Sequence, residues 1–245
     1  MSSHRRLAAA LLVAGLLTAL TGLAIGVHTH GWVTGLDAVT TSWFVAHRSA
    51  GFDVAASAIT DLGSPAATAI TGLICAALLS WRARSVIPGV VVIGTVAAAA
   101  LANIALKAVV GRPRSPAELQ LPPDADHSFP SGHVLGTAAL LGMIAVCVGV
   151  GRSRTVRAWL AGSVVAGVLV VGVTRLYLGA HWLTDVIAGA VLAGVFVTLG
   201  AAVFGALHAR SGRDGATPPV IAPPGERPLM TAEPSVAGHD VVDAE

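Results

Sequence analysis

The chain has 245 residues, of which 54% are hydrophobic and only 11% charged, with a formal net charge of +2 and a mean hydropathy of +0.77. That balance leaves a water-soluble domain too little polar surface, and so small a charge, with arginines scattered between apolar stretches, argues against nucleic acid as a partner. Repeated apolar runs of about 20 residues instead predict an all-α, polytopic membrane domain.

The first element is an apolar run over Leu7–Val27, preceded by Arg5 and Arg6. It exceeds the roughly 7–15 residues of a signal-peptide core, so the expectation is an uncleaved first span. Residues 28–53 follow, with Leu36, Val39, Trp43 and Phe44 at helical spacing among polar residues. They suit either a short helix lying in the membrane interface or an ordinary connecting loop. Further spans are expected over Val54–Trp81, Val86–Val110, His133–Val150, Ala158–Leu178 and Leu183–Leu207, making six. Asp61, Gly63 and Pro65 interrupt the start of the second, whose purely apolar part begins at Ala66. Cys75 and Cys147 lie inside apolar stretches without metal-ligand spacing and read as small packed hydrophobes. From residue 211 the composition turns to Pro, Gly, Ala and acidic residues, with six of the thirteen prolines. The expected organisation is a transmembrane domain over 1–210 and a disordered cytoplasmic tail over 211–245.

Nine arginines set an orientation. Arg5 and Arg6, Arg82 and Arg84, Arg152, Arg154 and Arg157, and Arg210 and Arg213 fall on one side of a six-span layout. The positive-inside rule makes that side cytoplasmic in a plasma-membrane protein, with both termini there and the loops at 28–53, 111–132 and 179–182 outside.

Charge retained next to apolar spans is costly and therefore informative. It concentrates at three places, all on the outward side. Lys107, the chain's only lysine, with Arg112 and Arg114, ends the third span; Pro130-Ser131-Gly132-His133 opens the fourth; and Thr174-Arg175 with His181 and Asp185 joins the fifth and sixth. These residue types are the parts of a phosphoryl-transfer site. Lys107, Arg114 and Arg175 supply cationic donors for phosphate oxygens. Ser131 and Gly132 stand at a helix N-terminus, where free N–H groups favour an anion. His181 and Asp185 are four residues apart on one helical face, so the carboxylate orients the imidazole as a nucleophile. His133 remains as the general acid that protonates the leaving oxygen and later activates water. The scheme requires no cofactor and no metal. Arg112 reads only as a contact to headgroup phosphates, and His28, His30, His47 and His127, scattered through loops, read as solvated.

In these motifs the chain resembles the type 2 phosphatidic acid phosphatase superfamily, whose signature is K-x6-R-P, P-S-G-H and S-R-x5-H-x3-D. The corresponding segments are Lys107-x6-Arg114-Ser115, Pro130-Ser131-Gly132-His133 and Thr174-Arg175-x5-His181-x3-Asp185, spanning residues 107–185. Two positions depart: Ser115 replaces a proline, and Thr174 replaces a serine whose hydroxyl it keeps for phosphate contact. The resemblance implies a catalytic set of His181, Asp185 and His133, and phosphate ligands Lys107, Arg114, Ser131, Gly132 and Arg175. It also implies a membrane lipid phosphatase with its site at the extracytoplasmic ends of helices three to six. Undecaprenyl diphosphate, phosphatidic acid and phosphatidylglycerol phosphate are the candidate substrates, and carrier-lipid recycling suits an outward site. A non-catalytic lipid-phosphate binder or transporter is the main alternative. A vanadium-haloperoxidase-like oxidase shares the cradle, but six spans count against it.

Overall fold

The computed structural model describes residues 3–214. Eight α-helices run in the order α1 (Ser3–His28), α2 (Gly35–Ala46), α3 (Ala50–Leu62), α4 (Pro65–Ala83), α5 (Ile87–Val110), α6 (Gly132–Gly149), α7 (Arg154–Tyr177) and α8 (Leu183–Asp214), without a strand among the described residues. Six of them, α1 and α4 to α8, are long and apolar enough to cross a membrane, which meets the six-span expectation. Leu11, Ile70, Leu101, Ile104 and Leu169 are each more than half exposed along these helices. Side chains of that kind have no reason to face water and define the lipid-facing surface.

The expected span over Val54–Trp81 is two helices, not one. Leu62 ends α3, and Ser64 then caps α4 by accepting the Ala67 N–H at 3.2 Å, with Pro65 in the first helical position. Proline disfavours a helical residue before it and lacks the N–H that an interior position needs, so the chain breaks there and the span itself is Pro65–Ala83. At the other end, α8 continues seven residues beyond Leu207, to Asp214. The rest of the tail expected to be disordered lies outside the described residues.

The 28–53 segment is helical, carrying α2 and the start of α3. Leu36, Val39 and Trp43 are exposed on α2, whereas Asp37 and Thr41 are buried. The helix thus turns its apolar face outward and its polar face into the protein. Arg48, in the turn after α2, ties this layer down by donating to the Tyr177 carbonyl at 2.9 Å and the Leu119 carbonyl at 2.7 Å.

α6 is the centre of the bundle, packed by α4, α5, α7 and α8, while α1 lies against α8. Phe129, Leu135, Ala139, Ala188 and Leu192 form one buried cluster under the charged end, and Val92, Leu140, Met143 and Phe204 form a second nearer the other end. Arg82, Arg84 and Arg152 meet the end of α8 around one pocket, so these arginine groups lie together at the end opposite the charged motifs.

Candidate active site

The three charged segments converge at one end of α5 to α8. Gly111, in the left-handed region at φ 61°, caps α5 just beyond Lys107 and turns the chain into the extended stretch that carries Arg112 and Arg114. The loop returns through buried Ser128 and Phe129 to Ser131, which precedes α6. The Ser131 N–H donates to the Asp185 carbonyl at 3.0 Å, locking the second motif onto the third. That N–H is therefore not free for an anion, in contrast to the sequence expectation. Gly132 and His133 occupy the first turn of α6, whose N–H groups lack helical acceptors.

His181 stands just before α8 and does not share a helical face with Asp185, as its spacing suggested. Asp185 sits at the third position of α8, and its Oδ2 accepts the Trp182 N–H at 2.9 Å. That bond caps the helix in the manner of a capping box and leaves His181 in the preceding turn. The pair still meets: His181 Nδ1 lies 3.5 Å from Asp185 Oδ2, at the outer limit of a hydrogen bond, and Nδ1 has no closer partner. His181 Nε2 is 3.2 Å from Arg114 Nη1. Burial is the main influence on the imidazole. It outweighs the Asp185 carboxylate, is reinforced by Arg114 and Arg175, and pushes the His181 pKa down to about 4. The ring is neutral at pH 7, with Nδ1–H directed at Asp185 and a lone pair on Nε2.

The three expected cations, of which Arg114 stands at Nε2, each face a carboxylate of the loop before α6. Lys107 Nζ lies 2.8 Å from Asp126 Oδ2 and donates to the His127 carbonyl. Arg114 Nη2 lies 2.8 Å from Asp124 Oδ2, and Arg114 also pairs with Asp126. Arg175 Nη2 is 4.0 Å from Asp124 Oδ2, while its Nε is buried without a partner. The Ser131 hydroxyl is likewise buried and unpartnered. Burial raises the Asp126 carboxyl, but hydrogen bonds from Lys107 and Arg114 overcome it and bring the pKa down to about 2. The loop acids thus hold the cations much as an incoming phosphate would. His133, half-buried on the first turn of α6, lies near His181 and within reach of the charges of Arg175, Arg114 and Lys107. All eight site residues expected from sequence are brought together.

Three further sequence readings change. Arg112 is not a surface contact: its side chain is 10% exposed and is held between Asp185 and Asp37. Thr174 does not offer its hydroxyl to phosphate, because that group donates to the Val171 carbonyl of its own helix at 2.7 Å. Ser115, beyond losing a proline's rigidity, donates its hydroxyl to the Gly179 carbonyl and so ties the first motif to the third. His28, His30, His47 and His127 are exposed, as expected. Asp37, Asp124 and Asp126 escaped sequence reading altogether. The signal for Asp37 was its place opposite the apolar stripe of α2; the two loop acids had none.

Residues 88–208 match the PAP2 superfamily. The particular architecture is that of a solved membrane member. The fold is similar to the crystal structure of the transmembrane PAP2 type phosphatidylglycerolphosphate phosphatase from Bacillus subtilis, with a TM-score of 0.68 and 23% identity, over 82% of this chain and 96% of that one. No curated protein sequence matches the chain.

Proposed function

We propose that the chain is a lipid phosphatase that hydrolyses a phosphomonoester or diphosphate through a phosphohistidine at His181. The observation that carries this reading is the neutral, buried imidazole whose Nε2 faces Arg114, with Lys107 and Arg175 converging on the same loop carboxylates. In the first step Nε2 attacks phosphorus and the bond to the lipid oxygen breaks. His133 gives that oxygen its proton, and Asp185 supports the charge that develops on His181. Lys107, Arg114, Arg175, the Ser131 hydroxyl and the N–H groups of Gly132 and His133 stabilise the equatorial oxygens. In the second step His133 takes a proton from water, the water oxygen attacks phosphorus, and the P–N bond breaks to release phosphate.

A lipid substrate is supported by an apolar groove of about 490 Å³ that starts at Lys107, Asp126 and Gly132 and runs along Ala100, Ala97 and Gly72 between α4 and α5. The arginine-rich opposite end supports an extracytoplasmic site in a plasma-membrane protein, with the transmembrane unit over 1–210 as the catalytic domain. The solved neighbour is described as a phosphatidylglycerolphosphate phosphatase, which supports that lipid as a candidate substrate beside phosphatidic acid and undecaprenyl diphosphate.

The test is phosphate release in detergent from each of the three lipids, with and without chelator. The expected result is chelator-insensitive release from at least one, an acid-labile and alkali-stable phosphoryl label on the protein, and a His181→Ala rate below about one-thousandth of the parent. No release from any lipid, with His181→Ala still binding lipid phosphate like the parent, replaces the enzyme with a binder.

A further inference from the structure

Asp185 has an elaborate environment for a residue that has only to orient an imidazole. Its Oδ1 accepts Arg112 Nη1 at 2.5 Å, and Arg112 Nη2 reaches Asp37 Oδ2 at 2.6 Å. Asp37, 3% exposed on α2, also accepts the Thr184 N–H at 2.9 Å and the Thr184 hydroxyl at 2.8 Å. The same hydroxyl lies 2.6 Å from Arg112 Nη1. The Arg112 guanidinium lies over the Trp182 ring at 5.4 Å, and the Trp182 indole N–H donates to the Pro113 carbonyl at 3.1 Å. Asp37 is thus bonded to the first turn of α8 from outside it and to the arginine that grips Asp185.

We infer that Asp37 and Arg112 are positioning residues for the His181–Asp185 pair, so that the α2 layer forms part of the catalytic machinery. The inference rests on the phosphohistidine reading above. Two physical consequences follow. Arg112 is planar and forked, so bridging two carboxylates fixes the rotation of the Asp185 carboxylate and leaves Oδ2 aimed at His181. Charge is the second. Arg112 alone would neutralise Asp185, whereas two carboxylates and one guanidinium leave one net negative charge beside the imidazole. Phosphoryl transfer makes that imidazole cationic, and in a site removed from water a net negative partner favours the transfer. Neither residue touches the cations that hold phosphate, so the effect belongs to turnover and not to binding.

The experiment compares parent, Asp37→Asn and Arg112→Lys in detergent, on whichever panel lipid the parent hydrolyses, with inorganic phosphate as competitive probe of the cradle. Thermal midpoints and elution volumes establish that each variant is folded. Asp37→Asn keeps the size and loses the charge; Arg112→Lys keeps the charge and loses the fork. The expected result is a fall in kcat of about tenfold or more in each, with slower formation of the phosphoryl-protein and with KM and the phosphate Ki within about twofold of the parent. Should Asp37→Asn not fold, Arg112→Lys carries the same reading. A folded variant with the parent's kcat, or one that raises KM and Ki while kcat holds, overturns the inference. A parent that releases no phosphate overturns the hydrolase reading instead, and an active parent with active variants overturns only the role of Asp37 and Arg112.

Discussion

His181 shows how the folded environment makes an ordinary residue reactive. A solvated imidazole has a pKa of about 6.5 and is partly protonated near neutrality. Burial first, then the nearby Arg114 and Arg175, lower that of His181 to about 4, and Asp185 offsets them only in part. Its lone pair is therefore present throughout the physiological range and disappears as pH falls through about 4. The acid limb of kcat/KM, once corrected for the second ionisation of the phosphate substrate near about 6, is expected near pH 4. Rates from pH 3.5 to 8 check this, and a corrected limb at 6.5 contradicts it. The same shift makes the folded protein less stable as pH drops from 6.5 toward 4, since the unfolded chain takes up the proton first. Asp126, at about 2, stays ionised across that window, so its pairs with Lys107 and Arg114 do not blur the measurement. At this scale the site was legible in the sequence wherever chemistry depends on fixed spacing: Lys107 to Arg114, Ser131 to His133, Arg175 to Asp185. It was illegible where partners come from afar. Asp37 lies 75 residues from Arg112 and 147 from Thr184, and no local pattern announces either contact.

Two elements set the geometry around that residue. The first is the crossing of α6 and α8, where the Ser131–Asp185 backbone bond requires the helix ends to approach closely. A Cβ on Gly189, one turn after Asp185, would stand 2.7 Å from the Ser131 carbonyl oxygen. Gly189→Ala is expected to cost about 1–3 kcal/mol by overpacking and to lower activity by shifting the first turn of α6. A thermal midpoint in detergent beside a rate measurement checks it, with Gly15→Ala, which meets nothing within 4 Å, as the unchanged control. The second element is the acidic loop. Asp126 is partly exposed, so its pairs with Lys107 and Arg114 are worth only about 0–1 kcal/mol, but phosphate must displace them. Asp126→Asn is therefore expected to tighten the Ki of inorganic phosphate about two- to fivefold, measured by competition; a weaker Ki runs against this. Element reading from sequence held for the apolar spans. The α3–α4 break falls where Asp61, Gly63 and Pro65 interrupt the apolar pattern, and the expected span ran through it because apolar residues flank that interruption on both sides.

For the whole molecule, the bilayer decides what the charged end can reach. Four of the apolar helices, α4, α5, α7 and α8, pack around α6, and the groove between α4 and α5 opens at Lys107 and descends among small side chains with exposed Leu73, Ile93 and Ile104 along it. A phosphate seated among Lys107, Arg114 and Arg175 would leave its lipid chain at the mouth of this groove. The chain then gains about 0.8 kcal/mol for each methylene taken out of water when it is delivered from aqueous solution. Ala100 faces the groove near its middle, and a phenylalanine there would exclude the chain segment that occupies that level. Ala100→Phe is expected to raise KM about tenfold for a long-chain phosphatidic acid, the equivalent of roughly two lost methylene contacts. A short-chain analogue that ends above Ala100 should keep its KM within about twofold, and kcat should hold for both because the His181 constellation lies beyond the substitution. Steady-state rates on the two chain lengths, parent against variant, distinguish a groove that seats the lipid from one that merely lies beside the site. Equal KM changes for both lengths would remove the groove from substrate binding.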